Sequence, residues 1–354
     1  MTDERHGGSR ARGDHGTVVA VTGVSGFLGQ RLLPLLDADP GVERVIGIDV
    51  REPARRARKL DFRCVDVLGG DLLAHVRGAD VIVHLAAIVG PIPDEHLMRR
   101  VDVDGTHRVL DAAGAAGIRK VVRPSSTAVY GAWPNNPVPL TEDEPLRPNA
   151  SYLPAILDGE CERMLADWAS AAPDRVATRL RLAPVVGGGA RSLFASVALG
   201  RGPVPVRGAA PVQVVHADDA AAALALAAAE DLDGAFNVAA DGWLAPEEAR
   251  AMRPGRGLPG LPRAVAERVL AAGWATGALD APPSVLPYLV EPWVVANDRI
   301  VAAGWKPRHG NDEAILLATP TEAGRLLPVV AGAGAIAAGV AIGAWWWRRR
   351  RVPS

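Results

Sequence analysis

Lysine is nearly missing from this chain of 354 residues: Lys59, Lys120 and Lys306 stand against 39 basic residues in all. Arginine takes its place and alanine and glycine abound, a bias that carries no functional weight in itself. Cysteine is scarcer still. Cys64 and Cys161 have neither metal nor redox spacing, so a disulfide framework is excluded, two cytosolic thiols are expected, and no metal site is expected. Charge of one sign is also lacking: the formal net charge is -1, so no overall field argues for nucleic acid as a partner. What the chain does have is length, enough for a full α/β core plus a smaller lobe.

The most organised stretch is Val18-Val19-Ala20-Val21-Thr22-Gly23-Val24-Ser25-Gly26-Phe27-Leu28-Gly29. A short apolar run rich in β-branched residues reads as a buried strand, and it stops at a glycine. Leu32, Leu33, Leu35 and Leu36 then follow a helical pattern. A strand-to-helix turn with glycines at 23, 26 and 29 lets backbone N–H groups approach a pyrophosphate, with a helix N-terminus pointing at it. The spacing is Gly-x-x-Gly-x-x-Gly, and three glycines prove little in a chain with 38 of them. Context lifts the signal. Arg44 to Asp49 reads as a second buried strand ending in an acid, 20 residues past Gly29. A carboxylate there accepts from an adenosine ribose hydroxyl and repels a 2′-phosphate, which favours NAD over NADP.

Strand and helix patterns alternate from residue 17 to about 185, which implies a parallel sheet covered on both faces. Strands are expected at Phe62–Val67, Val81–Ala87, Lys120–Pro124, Val176–Leu182, Val212–His216 and Ala235–Val238. Helices are expected at about Asp102–Ala116, from Ser151-Tyr152 onward, and over Ala220–Ala229 with Asp218 as its N-cap. The fold class expected is a Rossmann-type doubly wound parallel α/β sheet with a smaller C-terminal substrate lobe and a C-terminal apolar helix. The domains expected are a disordered lead-in at 1–16, an NAD-binding domain at 17–185, a substrate lobe at 186–325 with segments returning to the sheet, and a tail helix at 326–354.

Several pieces, in one order, resemble the extended short-chain dehydrogenases/reductases, specifically the NAD-dependent epimerase/dehydratase group. They are Thr22-Gly23-x-x-Gly26-x-x-Gly29, Asp49, Asp66-Val67, His84-Leu85-Ala86-Ala87, Ser125-Ser126 with Val129-Tyr130-Gly131, Tyr152, Arg181 with Pro184, and His216-Ala217-Asp218-Asp219. The resemblance covers residues 17 to about 240. It implies that Gly23, Ser25, Gly26, Phe27, Leu28 and Gly29 hold the NAD pyrophosphate and Asp49 its ribose. Asp66 and Val67 would flank the adenine, and Leu85, Ala86 and Ala87 would lie along the cofactor path. Ser126 would orient a substrate hydroxyl or carbonyl, and Tyr152 would act as general acid/base while hydride passes to or from the nicotinamide.

A phenol titrates near ~10, so it needs a nearby cation to serve as a base at neutral pH. In the family that cation is a lysine four residues on, one helical turn away on the same face. Here the position is Ile156. Asp102 is a second departure, where many members carry Asn. Three outcomes stay open: an oxidoreductase in which an arginine or substrate charge replaces the lysine, an enzyme of low rate or altered chemistry, and a non-catalytic NAD-binding sensor or scaffold at the membrane. The substrate expected is a hydroxyl-bearing small molecule, a sugar nucleotide or a lipid or steroid alcohol, and a second copy of the chain is a candidate partner. Arg191, Arg201 and Arg207 are candidates to meet a diphosphate.

Pro328 to Trp347 is twenty residues without a charge, followed by Arg348 to Arg351. At ~1.5 Å per residue it reaches ~30 Å, about the hydrocarbon thickness. Tryptophans at its end suit the membrane interface and arginines the headgroups. Membrane association through 328–347 with the catalytic domain facing the cytoplasm is therefore expected, a soluble cytoplasmic protein with a packed Ala-rich helix being the alternative.

Overall fold

The β-branched run after Gly16 becomes an interior strand of a seven-stranded sheet. In the computed structural model, residues 16–190, 193–198, 202–208, 210–252 and 260–318 are described. The strands are β1 (Thr17–Thr22), β2 (Val42–Asp49), β3 (Leu60–Cys64), β4 (Val81–His84), β5 (Lys120–Ser126), β6 (Val176–Leu182), β7 (Val185–Val186), β8 (Val215–His216) and β9 (Gly234–Val238). The main sheet runs β3-β2-β1-β4-β5-β6-β9, and β7 and β8 form a separate pair. All its neighbours are parallel. The order reverses between β1 and β4, and a crevice for a ligand opens at such a switch point. β9 lies beyond residue 186 and closes onto β6.

The helices are α1 (Gly29–Ala38), α2 (Leu72–Val76), α3 (Glu95–Arg99), α4 (Gly105–Ala116), α5 (Leu153–Ser170), α6 (Leu193–Ala198), α7 (Ala217–Ala229), α8 (Pro246–Ala251), α9 (Arg263–Ala275), α10 (Leu286–Val290), α11 (Asp298–Ala302) and α12 (Asn311–Leu317). Because side chains alternate along a strand, Val19 and Val21 face one layer and Ala20 the other. Val19 and Val21 pack with Leu32, Leu33 and Leu36 of α1 and with Ala220 and Leu224 of α7. Ala20 packs with Leu72 of α2, Val109 and Ala113 of α4, and Leu165 and Trp168 of α5. Both faces are covered, which explains why the strands read as near-continuous apolar runs. Each of the fully buried leucines contributes about 1.5–3 kcal/mol over exposure to water. A third cluster, with Val204, Ala266, Leu270, Leu279, Val285 and Leu286, sits under α9 and α10.

Five boundaries differ from the sequence expectation. β3 ends at Cys64, and Asp66 and Val67 lie in the turn beyond it. There the Asp66 carboxylate accepts from the N–H of Leu68 at 2.9 Å, a side-chain turn that competes with the strand ladder. β4 ends at His84, so Leu85, Ala86 and Ala87 leave the sheet as loop. The strand expected at Val212–His216 shrinks to Val215–His216. The helix after it starts at Ala217, three residues early, and His216 rather than Asp218 is its cap, the imidazole accepting from the N–H of Asp218. The helix expected from Asp102 opens with a π-helical turn over Arg100–Asp104 before α4 begins. Among the described residues no helix is long and apolar enough to cross a membrane. The tail helix at 326–354 and the lead-in up to residue 15 fall outside the described residues.

Candidate active site

The glycine turn is as tight as its composition requires. Gly23 sits at φ +70, and a Cβ there would lie 2.7 Å from the backbone N of Ala86. A Cβ on Gly29 would come within 2.5 Å of the Gly23 carbonyl oxygen. The N–H of Gly23 donates to Ile48 of β2 at 2.8 Å and that of Gly26 back to Gly23 at 2.9 Å. α1 therefore starts at the carboxyl edge of the sheet with its N-terminal N–H groups aimed along the crevice. Asp49 finishes β2, where its carboxylate accepts from the N–H of Ser25 at 3.0 Å and of Arg51 at 3.2 Å. Each carboxylate oxygen keeps acceptor capacity for a hydroxyl. Ser25 in turn donates its hydroxyl to the Arg51 carbonyl. Phe27 carries the Arg31 guanidinium 3.9 Å over its ring, and Arg31 pairs with Asp218 at 3.4 Å. A cradle in which a side chain at Gly23 would collide with backbone, closed by an acid at the end of β2, fits a dinucleotide.

On the other side of the crevice Val67 is buried and Asp66 exposed, with Leu85, Ala86 and Ala87 at the edge after β4. His84 braces this edge from below. Its ring bonds the Thr22 hydroxyl at 2.7 Å and the Thr106 hydroxyl at 3.2 Å. Burial, reinforced by the charge of Arg123, lowers the His84 imidazole to about 3, so it stays neutral and acts as a strut.

Ser126 and Tyr152 also reach this edge, from the end of β5 and the head of α5. The Ser126 hydroxyl accepts from the N–H of Ala128 at 3.2 Å and so caps the short 3-10 turn Thr127–Tyr130. Tyr152 is buried against aromatic rings, with centroids 4.9 Å from Tyr288 and 5.6 Å from Phe194. Burial pushes its phenol far above the usual range, and Tyr288 and the Asp158 carboxylate add to the rise. No cation among the described residues is set against that rise. Ile156 follows one turn on, its N–H donating to the Tyr152 carbonyl. The two buried arginines of this half are committed elsewhere. Arg123 donates to Asp158 at 3.0 Å and to the Pro124 carbonyl. Arg181 forms a buried pair with Glu162 at 2.7 Å and donates to the Tyr130 hydroxyl at 2.6 Å. Asp102 accepts from the N–H of Ile88 at 2.8 Å inside the π-helical turn. Burial raises its carboxyl to about 6, against the lowering influence of that bond and of Arg123.

Sequence reasoning missed the wall facing Tyr152. A small cavity of about 80 Å³ is lined by Thr127, Pro184, Phe194, Val212, Tyr288 and Trp293 among others. Tyr288 is one of only three tyrosines, the one signal that could have marked it. His309 was missed too: it bonds Asp219 at 2.9 Å and stacks on His216 at 4.1 Å. Of the arginines considered for a diphosphate, Arg191 and Arg201 lie outside the described residues, and Arg207 donates to the Gly260 carbonyl.

Residues 19–239 match the model of the NAD dependent epimerase/dehydratase family. An uncharacterized protein of Mycobacterium tuberculosis is 31% identical over 239 residues, 64% of this chain and 63% of that relative's own length. UDP-glucose 4-epimerase of Mycolicibacterium smegmatis is 36% identical over 155 residues, 40% of this chain and 48% of the relative. A 3-diazoavenalumate denitrifying reductase of a Streptomyces species is 29% identical over 318 residues, 82% of this chain and 96% of the relative. Among solved structures, the UDP-glucose 4-epimerase of Thermus thermophilus with NAD superposes at TM-score 0.64 with 23% identity, over 85% of this chain and 97% of its own. MoeE5 in complex with UDP-glucuronic acid and NAD superposes at 0.67, likewise with 23% identity over 85% and 97%. The ordered motifs, the seven-stranded parallel sheet and the match across more than half its length agree: this chain belongs to the NAD dependent epimerase/dehydratase family.

Proposed function

We propose that the chain is an NAD-dependent oxidoreductase of epimerase/dehydratase type, acting on a hydroxyl- or keto-bearing small molecule with an altered proton-handling corner. The observation that carries this reading is the convergence of the Gly23 turn, Asp49, Ser126 and Tyr152 on one edge of one sheet. Residues 17–185 are read as the cofactor lobe and 186–325 as the substrate lobe, with β9 returning to the main sheet.

NAD, when bound, supplies a hydride acceptor or donor at its nicotinamide. The chain's own residues do the rest. Backbone N–H groups of residues 23–29 meet the pyrophosphate, and Asp49 accepts from ribose hydroxyls. Asp66, Val67, Leu85, Ala86 and Ala87 are assigned to the cofactor path by resemblance. Ser126 orients the substrate oxygen and Tyr152 moves its proton. With Ile156 in place of a cation, the Tyr152 phenol stays protonated at neutral pH. It is then fully in its acid form, though a weaker acid than a free phenol, and is unavailable as a base, so reduction of a carbonyl needs no prior deprotonation and runs at a rate nearly independent of pH while oxidation rises with pH. Loss of a positioned proton-transfer group costs roughly 10²–10⁴-fold, which sets the expected deficit in the oxidative direction.

Ile156 also favours one second reading, a non-catalytic NAD-binding protein. Turnover separates the two. NAD binding is measured directly, and NADH formation is followed with a panel of sugar nucleotides and hydroxysteroids. Ile156→Lys is expected to raise the oxidative kcat by about 10²-fold, with Tyr152→Phe abolishing the gain. NAD binding with no turnover in wild type, Ile156→Lys or either direction would establish the sensor reading. Membrane attachment rests on the sequence of residues 328–347 alone. Removal of 326–354 is expected to release the chain from membranes, and full retention would dismiss the anchor.

A further inference from the structure

Three glycines in a row, Gly187 to Gly189, carry the chain out of β7, and such a run has no side chains of its own to hold it in place. Its neighbours confine it on two sides. A Cβ on Gly187 would lie 3.2 Å from Nε2 of His216, the cap of α7, and one on Gly189 would lie 3.7 Å from the Phe27 ring of the cofactor turn. A Cβ on Gly188, between them, would meet open space. The loop therefore runs between the head of α7 and the turn that follows β1.

Arg31, in the first turn of α1, reaches all three segments at once. Its Nη1 donates to the Phe27 carbonyl at 3.1 Å, its Nη2 donates to the Gly188 carbonyl, and its Nε faces the Asp218 carboxylate of α7 at 3.4 Å. The guanidinium carbon also lies 3.9 Å from the centroid of the Phe27 ring. A planar fork with five N–H donors can hold three such partners in fixed directions, which a single ammonium on a flexible stem cannot. The Arg31 side chain is only 24% exposed, so water screens these bonds less than on an open surface. Gripping a pyrophosphate needs only the backbone N–H groups of the turn, and that role leaves the Arg31 contacts unexplained. Beyond the loop, α6 carries Phe194, whose ring packs on Tyr152 at 5.6 Å. Whatever fastens the loop thus also sets where that wall stands against the catalytic edge.

We propose that Arg31 is a positioning residue that fastens the glycine loop onto the cofactor turn and so slows the release of a bound dinucleotide. The proposal rests on reading Gly23 to Gly29 as the cofactor's seat. Coupling of this kind is reciprocal: a loop that holds the dinucleotide is itself firmed when the dinucleotide binds.

The test is the rate at which the full chain, loaded with NADH, loses it to excess NAD, followed by stopped-flow fluorescence. Arg31→Ala is expected to speed release at least ~tenfold, the scale of losing charge-assisted hydrogen bonds. Arg31→Lys keeps the charge and most of the stem over Phe27, yet is expected to recover less than half of that loss on a logarithmic scale. Gly188→Ala separates fastening the loop from merely supporting α1. It narrows the states open to a released loop without a clash, so in the Arg31→Ala background it is expected to slow release by about 2–5-fold. Melting curves identify the folded variants, and Arg31→Lys stands in if Arg31→Ala does not fold. Unchanged release from a folded Arg31 variant, or faster release that Gly188→Ala does nothing to slow, would overturn the proposal and leave the cofactor reading intact. A wild-type chain that takes up no NADH would remove the cofactor reading and the fastening role together.

Discussion

The head of α1 and the head of α5 face the same crevice, yet they are built in different ways. At α1 the work is done by backbone: Gly23 in a left-handed conformation, Gly29 packed onto the Gly23 carbonyl, and Asp49 anchored by the N–H groups of Ser25 and Arg51. At α5 the proposed work depends on side-chain chemistry, and the residues there depart from what the family resemblance implies. Tyr152 is sealed among Phe194 and Tyr288, Ile156 stands where a cation would face it, and Arg123 and Arg181 are tied into pairs with Asp158 and Glu162. On the proposed reading, gripping a dinucleotide and moving a proton beside it are separable properties of this fold. The first needs geometry that almost no substitution tolerates. The second can change through a single side chain without disturbing a strand.

Substitutions at the two heads test that contrast. The largest effect belongs to Gly23→Val, which forces a β-branched residue into φ +70 with its Cβ against Ala86. NAD binding by calorimetry is expected to weaken at least ~100-fold, and a smaller loss would mean that the turn is not the cofactor's seat. Asp49→Asn keeps the volume but removes the charge that favours a free ribose 2′-hydroxyl. About tenfold weaker NAD binding is expected, some 1.4 kcal/mol, with a smaller loss for NADP. The smallest effect is on stability. The Asp102 carboxyl is raised to about 6 in the folded chain, above its unfolded value near 3.9. The native state then binds more protons than the unfolded one, so stability falls as pH rises from about 4 through about 6 and stays lower above. Asp102→Asn keeps the bond from the Ile88 N–H and removes this slope. Its melting curves should gain about 1 kcal/mol on wild type between pH 4.5 and 7.5, reduced by the loss of Arg123's neighbouring anion. Parallel curves would remove Asp102 as a buried titrating group.

The α1 half was legible in the sequence because a strand, a tight turn and a helix follow one another within about thirty residues, each with its own periodicity. The β5–β6 core was legible for the same reason. Polar side chains that turn back on their own backbone blurred the element ends. Asp66 ended β3 early, and His216 took the cap assigned to Asp218. The cavity at the carboxyl ends of β5 and β6 was not legible at all. Thr127, Pro184, Phe194, Val212, Tyr288 and Trp293 come from separate stretches spread over 166 positions and share no motif. Long-range pairs such as His309 with Asp219 and Tyr130 with Arg181 are likewise products of packing, invisible to any local pattern. The absence of the lysine, by contrast, was plain from the sequence; that no described arginine replaces it required the fold.

The most direct test of the account is a tyrosine titration by ultraviolet difference absorbance, since the chain holds only Tyr130, Tyr152 and Tyr288. All three are buried, with Tyr130 pushed up to about 12 and the other two higher still. The account predicts no tyrosinate in the folded wild-type chain until well above pH ~10, the ordinary phenol value, and one tyrosinate appearing at lower pH in Ile156→Lys. A wild-type tyrosinate that forms near neutral pH would contradict it, because Tyr152 would then have a cation that the described fold does not provide.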